Sequence, residues 1–140
     1  MPAKLFNPNS EEPFVLSRSR IDNFIECPRC FYLTNIVGIA RPPSFPFNLN
    51  NAVDELLKNE FDVYREKEEP HPIMVENNLN ALPYKHPDLE EWRESLRHGI
   101  KRYHPETNLI LRGGLDDLWI NTDTNQLIVV DYKATSKKGE

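Results

Sequence analysis

The chain has 140 residues, a net charge of −5, 39% hydrophobic and 28% charged residues. This is the size of one domain and an ordinary balance for a globular chain. The acidic balance argues against a protein that grips nucleic acid through bulk positive charge, although a local basic groove is compatible with it. No apolar run is long enough for a transmembrane helix, and MPAKLFNPNSEEPF has no apolar signal core, so a cytoplasmic protein without a membrane partner is expected.

Residues 1–16 are proline-rich and aperiodic, which predicts an extended arm ahead of one domain over 17–140. In SRSRIDNFIE, Ser17 or Ser19 can cap a helix on which Ile21, Phe24 and Ile25 fall at helical spacing. Pro28 ends or kinks it. Cys27 and Cys30, the only cysteines, stand in CPRC. A CxxC supplies half of a four-ligand metal site, but no second pair follows, and His71, His86, His98 and His104 do not complete one. Packing as small apolar side chains is the simpler reading. FYLTNIVGI is a short apolar segment closed by Gly38 and the turn ARPPSFPF.

NLNNAVDELLKNEFDVYRE, residues 48–66, predicts a long helix with Val53, Leu56, Leu57, Phe61 and Tyr64 on its apolar stripe. Residues 70–86 read as irregular. From Pro87, PDLEEWRESLRHGI predicts a second amphipathic helix with Leu89, Trp92, Leu96 and Ile100 on one face. After it the period changes. IKRYH, NLILRGGLDDLWIN and QLIVVDYKAT read as strands, the last two joined by a turn at TDTN.

A turn centred between Asp123 and Thr124 places Asp116 opposite Asp131 on one face of the hairpin, with Cβ atoms roughly 4.5–5.5 Å apart. Lys133 points to the same face and Asp117 to the other. Opposed carboxylates repel unless a cation lies between them. Mg²⁺ takes one or two protein carboxylates with water and phosphate oxygens. A neighbouring lysine can then hold a water or neutralise a developing phosphate charge, the combination phosphodiester hydrolysis needs. The plainer alternative leaves Asp117 solvated, Asp123 in the turn, and Asp131 and Lys133 as a surface pair.

GGLDD followed by VVDYK resembles the PD-(D/E)XK nuclease superfamily, in its RecB-like branch, which includes the CRISPR-associated exonucleases. Gly113-Gly114-Leu115-Asp116 is similar to the branch's G-x-(I/L/V)-D strand, and Val129 to Lys133 to its apolar run ending in D-Y-K. Upstream, Ser17, Ser19, Ile21, Phe24, Cys27 and Pro28 fit its S-x-S-x-(I/L)-x-x-(F/Y)-x-x-C-P segment, with Phe31 close to the expected aromatic.

The resemblance implies an α+β fold of the α/β sandwich type, a restriction-endonuclease-like core with N-terminal helices followed by a β-meander. The family's final helix, with its Q-x-x-x-Y element, and last strand are missing from these residues, so a further segment or a protein partner is expected to cover the sheet. It further implies Mg²⁺ or Mn²⁺ on Asp116, Asp131 and the backbone carbonyl of Tyr132, with Lys133 the catalytic lysine. Asp54 stands where the family places a His or Glu ligand. The cysteine trio of the iron–sulfur members is absent, so an iron–sulfur cluster is not supported. The implied activity is hydrolysis of DNA in repair, recombination or defence, with a catalytically inactive nucleic-acid-binding or assembly module as the alternative. Arg18 and Arg20, with Arg29, Lys137 and Lys138, are candidates for phosphate contact or solubilising charges.

Overall fold

The architecture is α+β in a computed structural model that describes residues 4–42 and 48–133. It resolves into two compact units, Met1–Phe45 with Gly99–Gly113 and Pro46–His98 with Gly114–Glu140. Each is discontinuous in sequence. No described helix is long and apolar enough to cross a membrane.

In the first unit, β1 (Phe14–Ser17), β4 (Leu109–Gly113) and β3 (Ile100–His104) form a sheet in the order β1-β4-β3. β1 runs parallel to β4 and β3 antiparallel to it. The expected extended arm therefore ends in a paired strand. Phe14, 5% exposed, anchors it and meets Phe6 edge-on at 5.5 Å. Helix α1 (Arg18–Glu26) follows directly, as the Ile21/Phe24/Ile25 spacing predicts. Ser17 occupies its N-cap position, yet its hydroxyl pairs with the Ser19 hydroxyl rather than a helix amide. Pro28 starts a new helix, α2 (Pro28–Tyr32), which runs into a π-helical turn over Leu33–Val37. The apolar segment FYLTNIVGI is thus helical, and Gly38 ends it at φ 90°, a left-handed conformation that suits glycine. Phe6, Phe14, Phe24, Phe31 and their neighbours enclose an apolar cavity of about 370 Å³.

The second unit is built on α3 (Asn48–Lys67), the long helix expected from its stripe. Its sheet has the order β2-β5-β6, from β2 (Ala81–Pro83), β5 (Asp117–Asn121) and β6 (Leu127–Val130), all antiparallel. Phe61, 2% exposed, stacks between His71 at 4.1 Å and Trp119 at 5.3 Å. Leu89, Leu115 and Leu118 form a second buried cluster against Tyr84 and Trp92.

Three expectations change here. Residues 70–86 are not irregular: they contain α4 (Pro72–Glu76), capped by the His71 ring accepting from the Ile73 amide, and β2. The helix from Pro87 shrinks to α5 (Leu89–Arg93), and Leu96 lies exposed. NLILRGGLDDLWIN is not one strand, and the meander is divided between two sheets. One cause serves the last two. The Trp92 carbonyl, which a longer helix would offer to Leu96, accepts instead from the Leu115 amide at 3.3 Å. That same amide is lost to any continuous β4–β5 strand. Only a glycine allows this approach, because a Cβ on Gly114 would lie 2.4 Å from the Ser95 Cβ. β6 also stops at Val130, short of the expected QLIVVDYKAT, whose Ala134 and Thr135 lie outside the described residues.

Gly114→Ala is expected to destabilise the chain by about 1–3 kcal/mol through this overlap. Gly113→Ala, with open space around its new methyl, is expected to be neutral or slightly stabilising. Urea unfolding of the two variants checks the contrast. Equal stabilities would refute the close approach.

Candidate functional site

The β5–β6 hairpin sets the register of the site. Its pairs run from Asp117↔Val130 to Ile120↔Leu127, centred between Asp123 and Thr124 as expected. The Asn121 side chain accepts from the amides of Asp123 and Thr124, and Asn125 takes a left-handed φ of 57°. These are the bonds of an Asx turn in a longer loop. Asp123 belongs to that loop and accepts from the Asn80 side-chain amide at 2.7 Å.

Asp116 lies one residue ahead of β5. Its Oδ2 accepts the Tyr132 backbone N–H at 2.7 Å, and its backbone carbonyl accepts from Arg93 Nε at 3.0 Å. Its Oδ1 lies 3.4 Å from Lys58 Nζ. The same ammonium donates to Asp54 Oδ2 at 2.6 Å, one helical turn back on α3. Asp54 and Asp116 therefore share one cation. The other Asp54 oxygen, Oδ1, is buried with no hydrogen-bond partner. The three side chains line a groove of about 560 Å³, together with Asn51 and residues 93–97, which bring Arg93 and Arg97.

The remaining expected residues are placed differently. Asp131 pairs with Lys133 at 2.5 Å, and both side chains are more than half exposed. Tyr132 meets Asp116 through its amide nitrogen. Arg18 forms an exposed 3.7 Å pair with Asp22. Arg20 donates to the Val15 carbonyl at 2.8 Å and lies over the Phe14 ring, so it braces β1 against α1. Lys137 and Lys138 lie outside the described residues. Among the described residues, no three His, Cys, Asp or Glu side chains gather as a metal-holding group.

The residues sequence reasoning missed lie on the opposite face of β5. Asp117 is 0% exposed. Its Oδ1 accepts from Arg65, from Arg93 at 3.2 Å and from the Leu118 amide at 2.7 Å. Its Oδ2 accepts from the Tyr132 hydroxyl at 2.7 Å and from Trp119 Nε1 at 3.2 Å. Asp62 closes the network by accepting from both Arg65 and Arg93. Two arginines and two aspartates balance, which is what makes charge at this depth tolerable. Burial raises the Asp62 pKa, but hydrogen bonds from Arg93 and Arg65 outweigh it and hold the carboxyl below its ordinary value. Burial, and then the Asp117 carboxylate, push the Tyr132 hydroxyl well above the ordinary tyrosine range. The available signal was Arg65, four residues beyond Phe61 on the apolar stripe of α3, where a solvated arginine has no place. Lys58, four residues beyond Asp54, was equally visible.

Asp117→Asn leaves two buried guanidiniums with one shared carboxylate, and a loss of about 3–5 kcal/mol is expected in denaturant unfolding. The raised Tyr132 pKa fixes the sign of a pH effect. Below pH about 10, folded and unfolded chains both keep the proton. Above it the unfolded chain ionises first, so stability falls as pH rises. Tyr132→Phe is expected to flatten this alkaline slope, measured as the difference between unfolding curves of the two proteins across that range.

Compared with protein-family models, with characterised proteins and with solved structures, the chain matches none.

Proposed function

We propose that the chain is a metal-dependent nuclease hydrolysing DNA phosphodiester bonds. The observation that carries this reading is the carboxylate pair of Asp116 and Asp54, converging on one cationic position in an open groove. Asp131 and Lys133, the other motif residues, lie directly beyond β6, whose register with β5 ends at Asp117↔Val130. The unpartnered Asp54 Oδ1 is a free acceptor, and hard oxygen ligands are what Mg²⁺ and Mn²⁺ take. On this reading Asp116 and Asp54 would hold the ion, and Asp131 would join them only by leaving its pair with Lys133. A bound divalent ion supplies Lewis acidity and an acidified water.

The chain's own residues do the rest. The Tyr132 amide orients the Asp116 carboxylate by its 2.7 Å hydrogen bond. Arg93 holds the backbone at the same residue. Arg97, on the groove wall, faces an anionic backbone with the sign that favours it. Lys133, 71% exposed, is available to neutralise charge developing on a phosphate. Leu127, Ile128 and Val129 on edge strand β6 are exposed, which supports a covering segment or protein partner on that sheet.

A second reading rests on Lys58. Its ammonium already stands between the two carboxylates, as in a nuclease-like module that binds nucleic acid or assembles without catalysis.

The two readings divide on metal and activity. Linear and flapped DNA are incubated with the chain in Mg²⁺, Mn²⁺ or EDTA. Metal-dependent cleavage is expected, reduced about 10²-fold or more in Asp116→Asn and Lys133→Ala purified in parallel. Cleavage undiminished in both variants would sink the nuclease reading. Calorimetry is expected to show Mn²⁺ binding that Lys58→Gln tightens, because a competing cation is removed. Binding absent from both the wild type and Lys58→Gln favours the non-catalytic module.

A further inference from the structure

The CPRC segment is left unused by the proposed nuclease site. Cys27 occupies the N-cap position of α2 and Cys30 is its third residue. An N-cap side chain reaches back over that third residue, as in a capping box. Here the Cys27 Sγ accepts from the Cys30 backbone N–H at 3.2 Å. The two sulfur atoms are in contact, and both cysteines are free and half-buried. Hydrogen bonds from the Cys30 thiol and then the Cys30 amide lower the Cys27 pKa, and Arg41 adds a smaller electrostatic contribution. The Cys30 pKa is raised, first by its hydrogen bond with Cys27. The pair thus differs in acidity, with Cys27 shifted down and Cys30 up.

We propose that Cys27 and Cys30 are a redox-active dithiol that closes to an intramolecular disulfide by exchange with small-molecule disulfides such as oxidised glutathione. The Cys27 thiolate attacks one sulfur of the incoming disulfide, forming a mixed disulfide and releasing one thiolate. Cys30 gives its proton to solvent and attacks the Cys27 sulfur. The protein disulfide forms and the second thiolate leaves. The protein dithiol is oxidised by two electrons and the incoming disulfide is reduced to two thiols. Closure needs little side-chain rotation, because the sulfurs already face each other across one helical turn.

The chain itself supplies the assay. Trypsin cuts after Arg20, Arg29 and Lys58, the Arg41–Pro42 bond being resistant, so Cys27 and Cys30 leave in different peptides, residues 21–29 and 30–58. The reduced full chain is equilibrated in glutathione buffers of stepped ratio, quenched with iodoacetamide and digested. The two peptides are expected joined at oxidising ratios and separate after reduction. Pulsed alkylation of the reduced wild type is expected to label Cys27 several-fold faster than Cys30. Cys30→Ser is expected to stop at a Cys27–glutathione adduct, with circular dichroism reporting that it is folded. Three results each overturn the proposal: no joined peptide at the most oxidising ratio, faster labelling of Cys30, or disulfides formed only between two chains.

Discussion

The fully buried carboxylate of Asp117 is the constraint on which the second unit depends. A lone charge at that depth would cost many kcal/mol of solvation. Its five donors come from α3, α5, β5 itself and Tyr132 beyond β6. The donors from α3 and α5 fix those two helices against the sheet. The side chains of Arg65 and Arg93 also reach backbone carbonyls, at Tyr84, Leu118 and Asp116. Few other placements of α3 and α5 would satisfy so many polar groups at once, so the network specifies an arrangement more than it adds net stability.

That constraint positions the candidate site on the other face. Successive residues of a strand point to opposite sides. Holding Asp117 inward directs Asp116 toward the groove. Tyr132 links the two faces, its hydroxyl on Asp117 and its backbone amide on Asp116. The Asp116 carboxylate is held at both ends of its environment, by a peptide N–H on one oxygen and an ammonium near the other.

Local pattern carried much of this architecture. The α3 stripe, the helix after Ser17, the IKRYH strand and the centre of the β5–β6 turn all lie where residue spacing puts them. What spacing could not reveal depends on contacts distant in sequence. The break at Gly114 follows from the Trp92 carbonyl, twenty-odd residues earlier in the chain. The burial of Asp117 depends on Arg65, 52 residues away. At the site, Asp116 and Asp54 both approach the Lys58 ammonium, whereas Asp131 and Lys133 pair with each other near the surface. Alternation alone put Asp117 on the far face, but not whether that face met water or protein. An arginine inside an apolar stripe is the one local clue that it met protein.

The charge balance of the groove gives the last step. Lys58 brings one positive charge to two carboxylates, so the trio Asp54–Lys58–Asp116 is left with one negative charge beside an unpartnered oxygen. A lysine satisfies such a pair incompletely, because its donors reach one Asp54 oxygen at 2.6 Å but stay 3.4 Å from Asp116. A divalent ion, on the proposed reading, would neutralise both carboxylates and take the spare oxygen as a ligand, at the cost of moving an ammonium on a flexible stem. On the proposed reading, Lys58 keeps the empty carboxylate pair from repelling and yields when metal and phosphate arrive together. The same lysine that favours the non-catalytic reading in isolation then becomes the counter-ion that lets a folded, metal-free chain hold its ligands in register.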